Sequence, residues 1–342
     1  MKRVAILVLN WNNWTDTLEC LESLFRLDYP EYQIVVCDNG STDDSVEKIS
    51  EWAVGRLILP TDLSPPGKAG VPCSKPISMV VIERFVAEQG GLVTEPLLLI
   101  RNGANLGFAG GNNVGLRYVQ NSGGFDYCWV LNNDTVVAPD SLHQLVARME
   151  ADDAPGLCGS TLLEYNCPNR VNALGGALYN RMFGLAWHLG RGRSWPYRVE
   201  RQQVERRMDY VVGASMFVSL AFLETVGLLE EDYFLYYEEL DWALRARNHF
   251  LLAWAPDSHV YHKVGGTIGT SSHPARKSWT SDFYTLRNRI KFTRRFCPWA
   301  LPTVYLGLIG AVLLRLLFGQ GRRALMVTRL MLTPNCSFAD CC

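Results

Sequence analysis

The sequence contains no Cys-x-x-Cys pair, and its six histidines have no spacing that would close a zinc cluster. That excludes a structural zinc module, and the ten scattered cysteines read as reduced, mostly buried thiols. The glycine-rich stretches are followed by no Gly-Lys-Ser/Thr, and no Gly-x-Gly-x-x-Gly occurs, so neither a P-loop nor the common dinucleotide-binding turn is present. A cleavable secretory leader is not expected either. Met1-Lys2-Arg3 precedes an apolar run of only six residues, Val4 to Leu9, before Asn10 interrupts it. The expectation is a cytoplasmic protein, in which the Asn133-Asp134-Thr135 sequon is accidental. Net charge is nearly absent at −1, while 48% hydrophobic and 20% charged residues mark a globular chain of one large or two smaller domains.

What is present is an alternation of apolar strands and amphipathic helices. Val4 to Asn10 reads as a strand, and Thr15 to Leu27 as a helix with Leu18, Leu21, Leu24 and Phe25 on one face. Gln33 to Cys37 is a second strand closing on Asp38-Asn39-Gly40-Ser41-Thr42-Asp43-Asp44, with a helix over Ser45 to Trp52. Six prolines between Pro60 and Pro96 interrupt the pattern, and residues 60–96 are expected to be a surface insertion carrying a short helix near Ile77 to Val86. Leu97 to Ile100 resumes as a strand, and Asn105 to Asn113 forms a glycine-rich turn into a helix, where glycines permit close backbone approach.

The chain is organised around Tyr127-Cys128-Trp129-Val130-Leu131-Asn132-Asn133-Asp134-Thr135. This apolar run reads as a buried strand that delivers one carboxylate, Asp134, to the carboxyl edge of a sheet, where α/β proteins bind ligands. Asn and Asp after a strand are also ordinary turn and cap residues, and a helix over Val136 to Met149 entered through Pro139 is expected next. Gly156 to Tyr165 is a further strand, Asn172 to Trp195 is irregular or a hairpin, and Tyr210 to Val218 is strand-like with small residues at its centre. Tyr233 to Tyr237 then leads into Glu238-Glu239-Leu240-Asp241 at the start of a helix. Acids in a first turn are favoured by the helix dipole whatever the function, yet three beside an aromatic cluster are harder to ascribe to the dipole alone. Ala253 to His262 ends the pattern as a strand.

The order Asn10-Trp11-Asn12, Asp38 to Asp43, Asn105 to Asn113, Leu131 to Thr135, Glu238 to Arg245 and His262 resembles glycosyltransferase family 2, and most closely its rhamnosyltransferase-like branch. The resemblance spans roughly residues 3 to 295 apart from the proline-rich insertion. It implies a GT-A fold over residues 1–296, a Rossmann-like mixed, mostly parallel sheet between helices. The implied activity is inverting, metal-dependent transfer of a sugar from a nucleotide donor, with rhamnose from dTDP-rhamnose expected and galactofuranosyl or N-acetylhexosaminyl transfer as rivals. By the same resemblance Asp38 contacts the base or ribose with Asn10 nearby, and Asn105 and Gly107 belong to the turn over the nucleotide. Asn132 and Asp134 match the Asp-x-Asp motif, which here begins with Asn, so Asp134 is its only anionic ligand for Mg2+ or Mn2+. His262 matches a further metal ligand, Glu239 the general base, and Glu238 and Asp241 acceptor-binding or site-fixing acids. A sugar-nucleotide nucleotidyltransferase lacks its basic glycine-rich loop here, and a degenerate glycan-binding protein would not be expected to keep Asp38, Asp134, Glu239 and His262.

From Phe283 onward there are nine Lys or Arg and a single acid, Asp340, a charge of +8 against −9 for residues 1–282. Trp299 to Leu314 is uncharged and Arg315 interrupts an apolar run that continues to Phe318. Basic residues on both sides favour a segment, within residues 297–342, that lies on a membrane over one that crosses it, with a core helix as the alternative. Positive charge interleaved with Leu, Ile and Val excludes a nucleic-acid partner. The expected partners are a nucleotide sugar and a glycan or lipid-linked acceptor at the inner face of the cell membrane, with peripheral membrane contact through residues 297–330.

Overall fold

Val4, Ala5, Ile6, Leu7 and Val8 have no exposed surface, so strand β1 (Val4–Asn10) is covered on both faces, as an uninterrupted apolar strand requires. Alternate residues feed two cores: Val4, Ile6 and Val8 join Trp129 and Phe217, while Ala5 and Leu7 join Trp242 and Trp254. The computed structural model describes residues 1–59, 73–91, 93–151, 154–263 and 278–338. After β1 come α1 (Trp14–Leu24), β2 (Tyr32–Asp38), α2 (Ser45–Ala53), β3 (Met79–Glu83), α3 (Arg84–Gln89), β4 (Leu97–Arg101) and α4 (Gly107–Ser122). The middle of the chain forms β5 (Tyr127–Asn132), β6 (Thr135–Val137), α5 (Ser141–Met149), β7 (Leu157–Glu164), β8 (Cys167–Leu174), β9 (Gly176–Asn180) and β10 (Leu185–His188). It continues through α6 (Arg201–Glu205), β11 (Tyr210–Val211), β12 (Ser215–Ser219), α7 (Leu220–Val226), α8 (Glu238–Ala246) and β13 (Leu252–His262). Three helices close it: α9 (Trp279–Phe296), α10 (Leu301–Leu317) and α11 (Gly321–Leu332).

The main sheet runs β3-β4-β2-β1-β5-β12-β7-β13-β6 with β8 beside β7, and β10-β9-β11 form a second, small sheet. β1, β2, β3, β4 and β5 are parallel, whereas β12 enters antiparallel between β5 and β7. This is the mixed, mostly parallel GT-A sheet expected from the motifs. Register aligns the working edge: Asn10 pairs with Asp38, Leu9 with Asn132 and Asp38 with Arg101, so four parallel strands end together.

Four local expectations are corrected. Residues near Ile77 to Val86 do not form one helix. Met79–Glu83 extends the sheet as edge strand β3 before α3 begins, because Met-Val-Val-Ile can pair with β4, so part of the supposed insertion belongs to the fold; residues 60–72 lie outside the described residues. The helix expected over Val136 to Met149 starts only at Ser141, since the β-branched Thr135-Val136-Val137 pairs antiparallel with β13. The run Tyr210 to Val218 splits into β11 and β12 at a turn closed by Ser215 N–H donating to Val212 O, 3.1 Å. Finally, Cys20, Cys37, Cys73, Cys128, Cys158, Cys167 and Cys297 are free thiols as expected, but Cys336 is disulfide-bonded.

Candidate active site

β1 and β2 bring Asn10 and Asp38 side by side. Asn10 Nδ2 donates to Asp38 Oδ1 at 2.9 Å and its Oδ1 accepts from Thr17 Oγ1 at 2.7 Å. Ser41 closes the turn by donating its hydroxyl to Asp38 Oδ1 at 2.6 Å and its N–H to Oδ2 at 3.1 Å. Both residues are buried, so Asn10 acts as the brace that orients Asp38. Asn105 belongs to an asparagine network: its Oδ1 accepts from Asn39 Nδ2 and from Gly107 N–H, both at 3.0 Å, while Asn39 Oδ1 accepts from Leu106 N–H at 3.1 Å. At Gly107 the backbone conformation and a neighbouring carbonyl both require glycine. It has φ +73°, and a Cβ there would sit 2.3 Å from Phe234 O. Gly111 and Gly115 likewise admit Leu9 and Leu7, letting α4 lie close on the sheet.

At the end of β5, Asn132 is half-buried, and Asn133 Nδ2 donates to Thr17 Oγ1 at 3.0 Å, tying the turn to α1. Asp134 is buried, and its Oδ1 has no hydrogen-bond partner. The β6–β13 pairing places His262 opposite Thr135, and His262 Nε2 lies 3.4 Å from Asp134 Oδ1. An unpartnered buried carboxylate oxygen facing an imidazole nitrogen is the kind of donor set a cation takes up. Among the described residues no three His, Cys, Asp or Glu side chains converge as a complete metal shell, so a cation here would need further oxygens from a ligand or water. His262 Nδ1 is 3.5 Å from Asn172 Oδ1. His188 of β10 lies near both, and burial, with Arg191 adding to it, lowers its pKa to about 4, leaving a neutral ring.

The acids of α8 separate into different environments. Asp241 is fully buried and ion-paired with Arg245 at 2.7 Å and Arg295 at 3.0 Å, and it accepts from Tyr233 Oη at 3.1 Å. It fastens the helix and is not presented to solvent. Glu238 is buried, and burial followed by the charge of Glu239 pushes its pKa well above the ordinary carboxyl value. Glu239 is half-buried, and desolvation lifts it to about 7. Gly213 faces Glu239, with its virtual Cβ 3.8 Å from Glu239 Oε1 and from Phe108. The next residue, Ala214, accepts from Asn132 N–H through its carbonyl at 3.1 Å. One backbone link therefore joins the β5 turn to the wall beside Glu239.

Sequence reasoning missed the means by which α8 is aimed. Phe234, Tyr236 and Tyr237 have φ of 62°, 69° and 77°, a clustering of left-handed non-glycine residues that marks stored strain. Asn288 of α9 holds this turn: its fully buried Nδ2 donates to Tyr233 O and Leu235 O at 2.8 Å and lies 3.1 Å from Tyr236 O. Nothing local in the sequence announces it, because the pair is more than fifty positions apart. Asn288→Ala leaves buried carbonyls unpaired, at about 1–3 kcal/mol. The expected result is a lower urea midpoint, together with a fall in turnover larger than the change in donor affinity.

The geometry can be set beside known proteins. The profile described as glycosyl transferase family 2 matches residues 5–60 and 82–206, more than half of the chain. A low-salt glycan biosynthesis hexosyltransferase of Haloferax volcanii is 28% identical over 149 residues, 43% of this chain and 45% of its own; the chain thus spans less than half of that relative's length. A mannosyltransferase from Pyrobaculum calidifontis, solved with GDP-Man and Mn2+, superposes with a TM-score of 0.52 at 15% identity over 97% of this chain and 87% of its own. GalNAc-T7, solved with UDP, GalNAc and Mn2+, gives 0.56 at 14% identity over 86% and 48%. At these identities the two structures speak for the fold alone. With a matched family profile covering both the Asp38 turn and the Asp134 strand, the chain belongs to glycosyl transferase family 2.

Proposed function

We propose that this glycosyltransferase takes a nucleotide-sugar donor against Asp38, Asn105 and the Asn132-Asn133-Asp134 turn and moves its sugar, with inversion, to an acceptor hydroxyl deprotonated by Glu239. The observation that supports this reading is a pair of unlike carboxylates whose neighbourhoods are joined by the Asn132–Ala214 hydrogen bond. Asp134 lies in the turn after β5 with an unpartnered oxygen beside His262, while Glu239, raised to about 7, lies against Gly213, next to the Ala214 that Asn132 bonds. A base poised near neutrality is suited to accept the acceptor proton as the new glycosidic bond forms. Asp134 and His262 are the residues that would hold Mg2+ or Mn2+, which offsets the charge gathering on the departing nucleoside diphosphate. Exposed Trp11, beside Asn10, offers a face for the nucleobase.

The expected donor is dTDP-rhamnose, with GDP-mannose, UDP-galactofuranose and UDP-N-acetylhexosamines as rivals, and the acceptor a glycan or lipid-linked saccharide at the inner face of the cell membrane. Release of nucleoside diphosphate across this panel, with Mn2+ and again with chelator, is the test. One donor turned over only with the divalent ion is expected; release from none would reject the donor assignment.

A further inference from the structure

The C-terminal helices leave a large apolar face unpartnered. α9, α10 and α11 share a small core of Phe283, Leu286, Ile290, Val304, Leu308, Met326, Val327 and Leu330. Along α10 only Val304, Leu308 and Arg315 are buried. Arg315, the helix's one charge, turns inward onto Asp282 at 2.7 Å, so the outer face carries none. That face shows Leu306, Ile309, Leu313 and Leu317, the last 81% exposed, at spacings that keep them on one stripe. A core helix would bury this surface, and a soluble monomer rarely shows so continuous a patch.

The patch extends beyond the helix. Met182 and Phe183, at the tip of the β9–β10 hairpin, are 47% and 50% exposed, and Thr303 near the start of α10 donates its hydroxyl to Met182 O. The same hairpin touches the active site, because Tyr237 Oη donates to Gly184 O at 3.0 Å and Tyr237 immediately precedes Glu238. Exposed Arg294 lies on α9 just before the patch, and exposed Arg322 and Arg329 lie on α11 after it.

We infer that the outer face of α10 and the Met182-Phe183 tip form one surface that lies in the plane of an anionic lipid bilayer, seating the acceptor side of the active site against the membrane. Apolar side chains would enter the headgroup boundary while the arginines meet anionic lipid. Crossing is disfavoured, since it would carry Asp282, Arg315 and the basic α11 into hydrocarbon along with α10. The seating rests on this surface alone; only its meaning for the acceptor rests on the donor–base reading above.

Flotation of the full chain with phosphatidylcholine vesicles, with and without phosphatidylglycerol, tests it. The wild type should float with the anionic vesicles, and raised salt should weaken binding. Leu313→Asp/Leu317→Asp and, separately, Phe183→Asp should each lower the bound fraction about tenfold, with unchanged circular dichroism. The inference is overturned if the wild type does not float, if the α10 pair has no effect, or if Phe183→Asp has none. It is also overturned if these changes instead dissociate a dimer formed without lipid. Flotation by a chain that binds no nucleotide sugar would keep this surface and reject the donor reading.

Discussion

Glu239→Gln lowers turnover by roughly 10²- to 10⁴-fold while donor affinity is retained. Glutamine keeps the side-chain volume but cannot accept a proton, so the loss falls on the transfer step. The two adjacent glutamates are distinguished by their surroundings. Glu238 is buried and held in its neutral form, whereas Glu239 is half-buried and raised only to about 7, so a useful fraction is ionised at neutral pH. Wild-type kcat/KM should therefore climb with pH through about 7 and level above it, and the glutamine variant should lose that acid limb. Stability moves the other way. Between the ordinary carboxyl value of 4.5 and about 7 the folded chain binds more protons at Glu239 than the unfolded chain, so wild-type stability falls as pH rises across that window. The glutamine variant escapes this loss, and its urea midpoint at mildly alkaline pH should exceed that of the wild type. Full activity in Glu239→Gln would remove the residue from the role of base.

Much of this arrangement is written locally and so can be read from the sequence. Uninterrupted apolar runs ending in polar turns place Asn10, Asp38 and Asn132 at strand ends, with Asp134 in the turn just beyond, and parallel register then lines the strand ends up. The acids of α8 are equally visible, but their division of labour is not. Asp241 is occupied by Arg245, one helical turn away, and by Arg295, which reaches it from α9. The glycine turn was legible as a place of close approach, while the group that approaches, Phe234 O, arrives from a segment over one hundred residues later. The same limit hid His188 and Asn172 beside His262, and Asn288 beneath the strained turn. Carrying the helix entered through Pro139 back over Val136 and Val137 overrode their β-branched preference for a strand, and the pairing of β6 with β13 is what brings His262 to Asp134. Tertiary pairing thus decided the features that periodicity could not.

Asp134→Ala abolishes the metal-dependent part of donor binding. The carboxylate is the only anionic group of the Asn132-Asn133-Asp134 turn, and its buried Oδ1 has no hydrogen-bond partner and faces only His262 Nε2 at 3.4 Å, a setting that a cation would complete. If Asp134 and His262 hold a divalent ion as proposed, that ion would offset the diphosphate's charge, and removing the Asp134 carboxylate should weaken nucleotide-sugar binding roughly a hundredfold in Mn2+. Calorimetric titration with Mn2+ and with chelator reads this directly: the two wild-type affinities differ, whereas those of Asp134→Ala coincide at the wild-type chelator value. His262→Ala should give a smaller loss, about tenfold, because water can replace a neutral imidazole more readily than an anionic oxygen. Unfolding separates binding from collapse of the site. An unpartnered buried carboxylate is a burden to the metal-free fold, so the alanine variant should unfold at the same urea concentration as the metal-free wild type or a higher one. Metal-dependent donor binding that survives in Asp134→Ala would move the cation elsewhere, and a lower midpoint without metal would make Asp134 a structural residue of the turn.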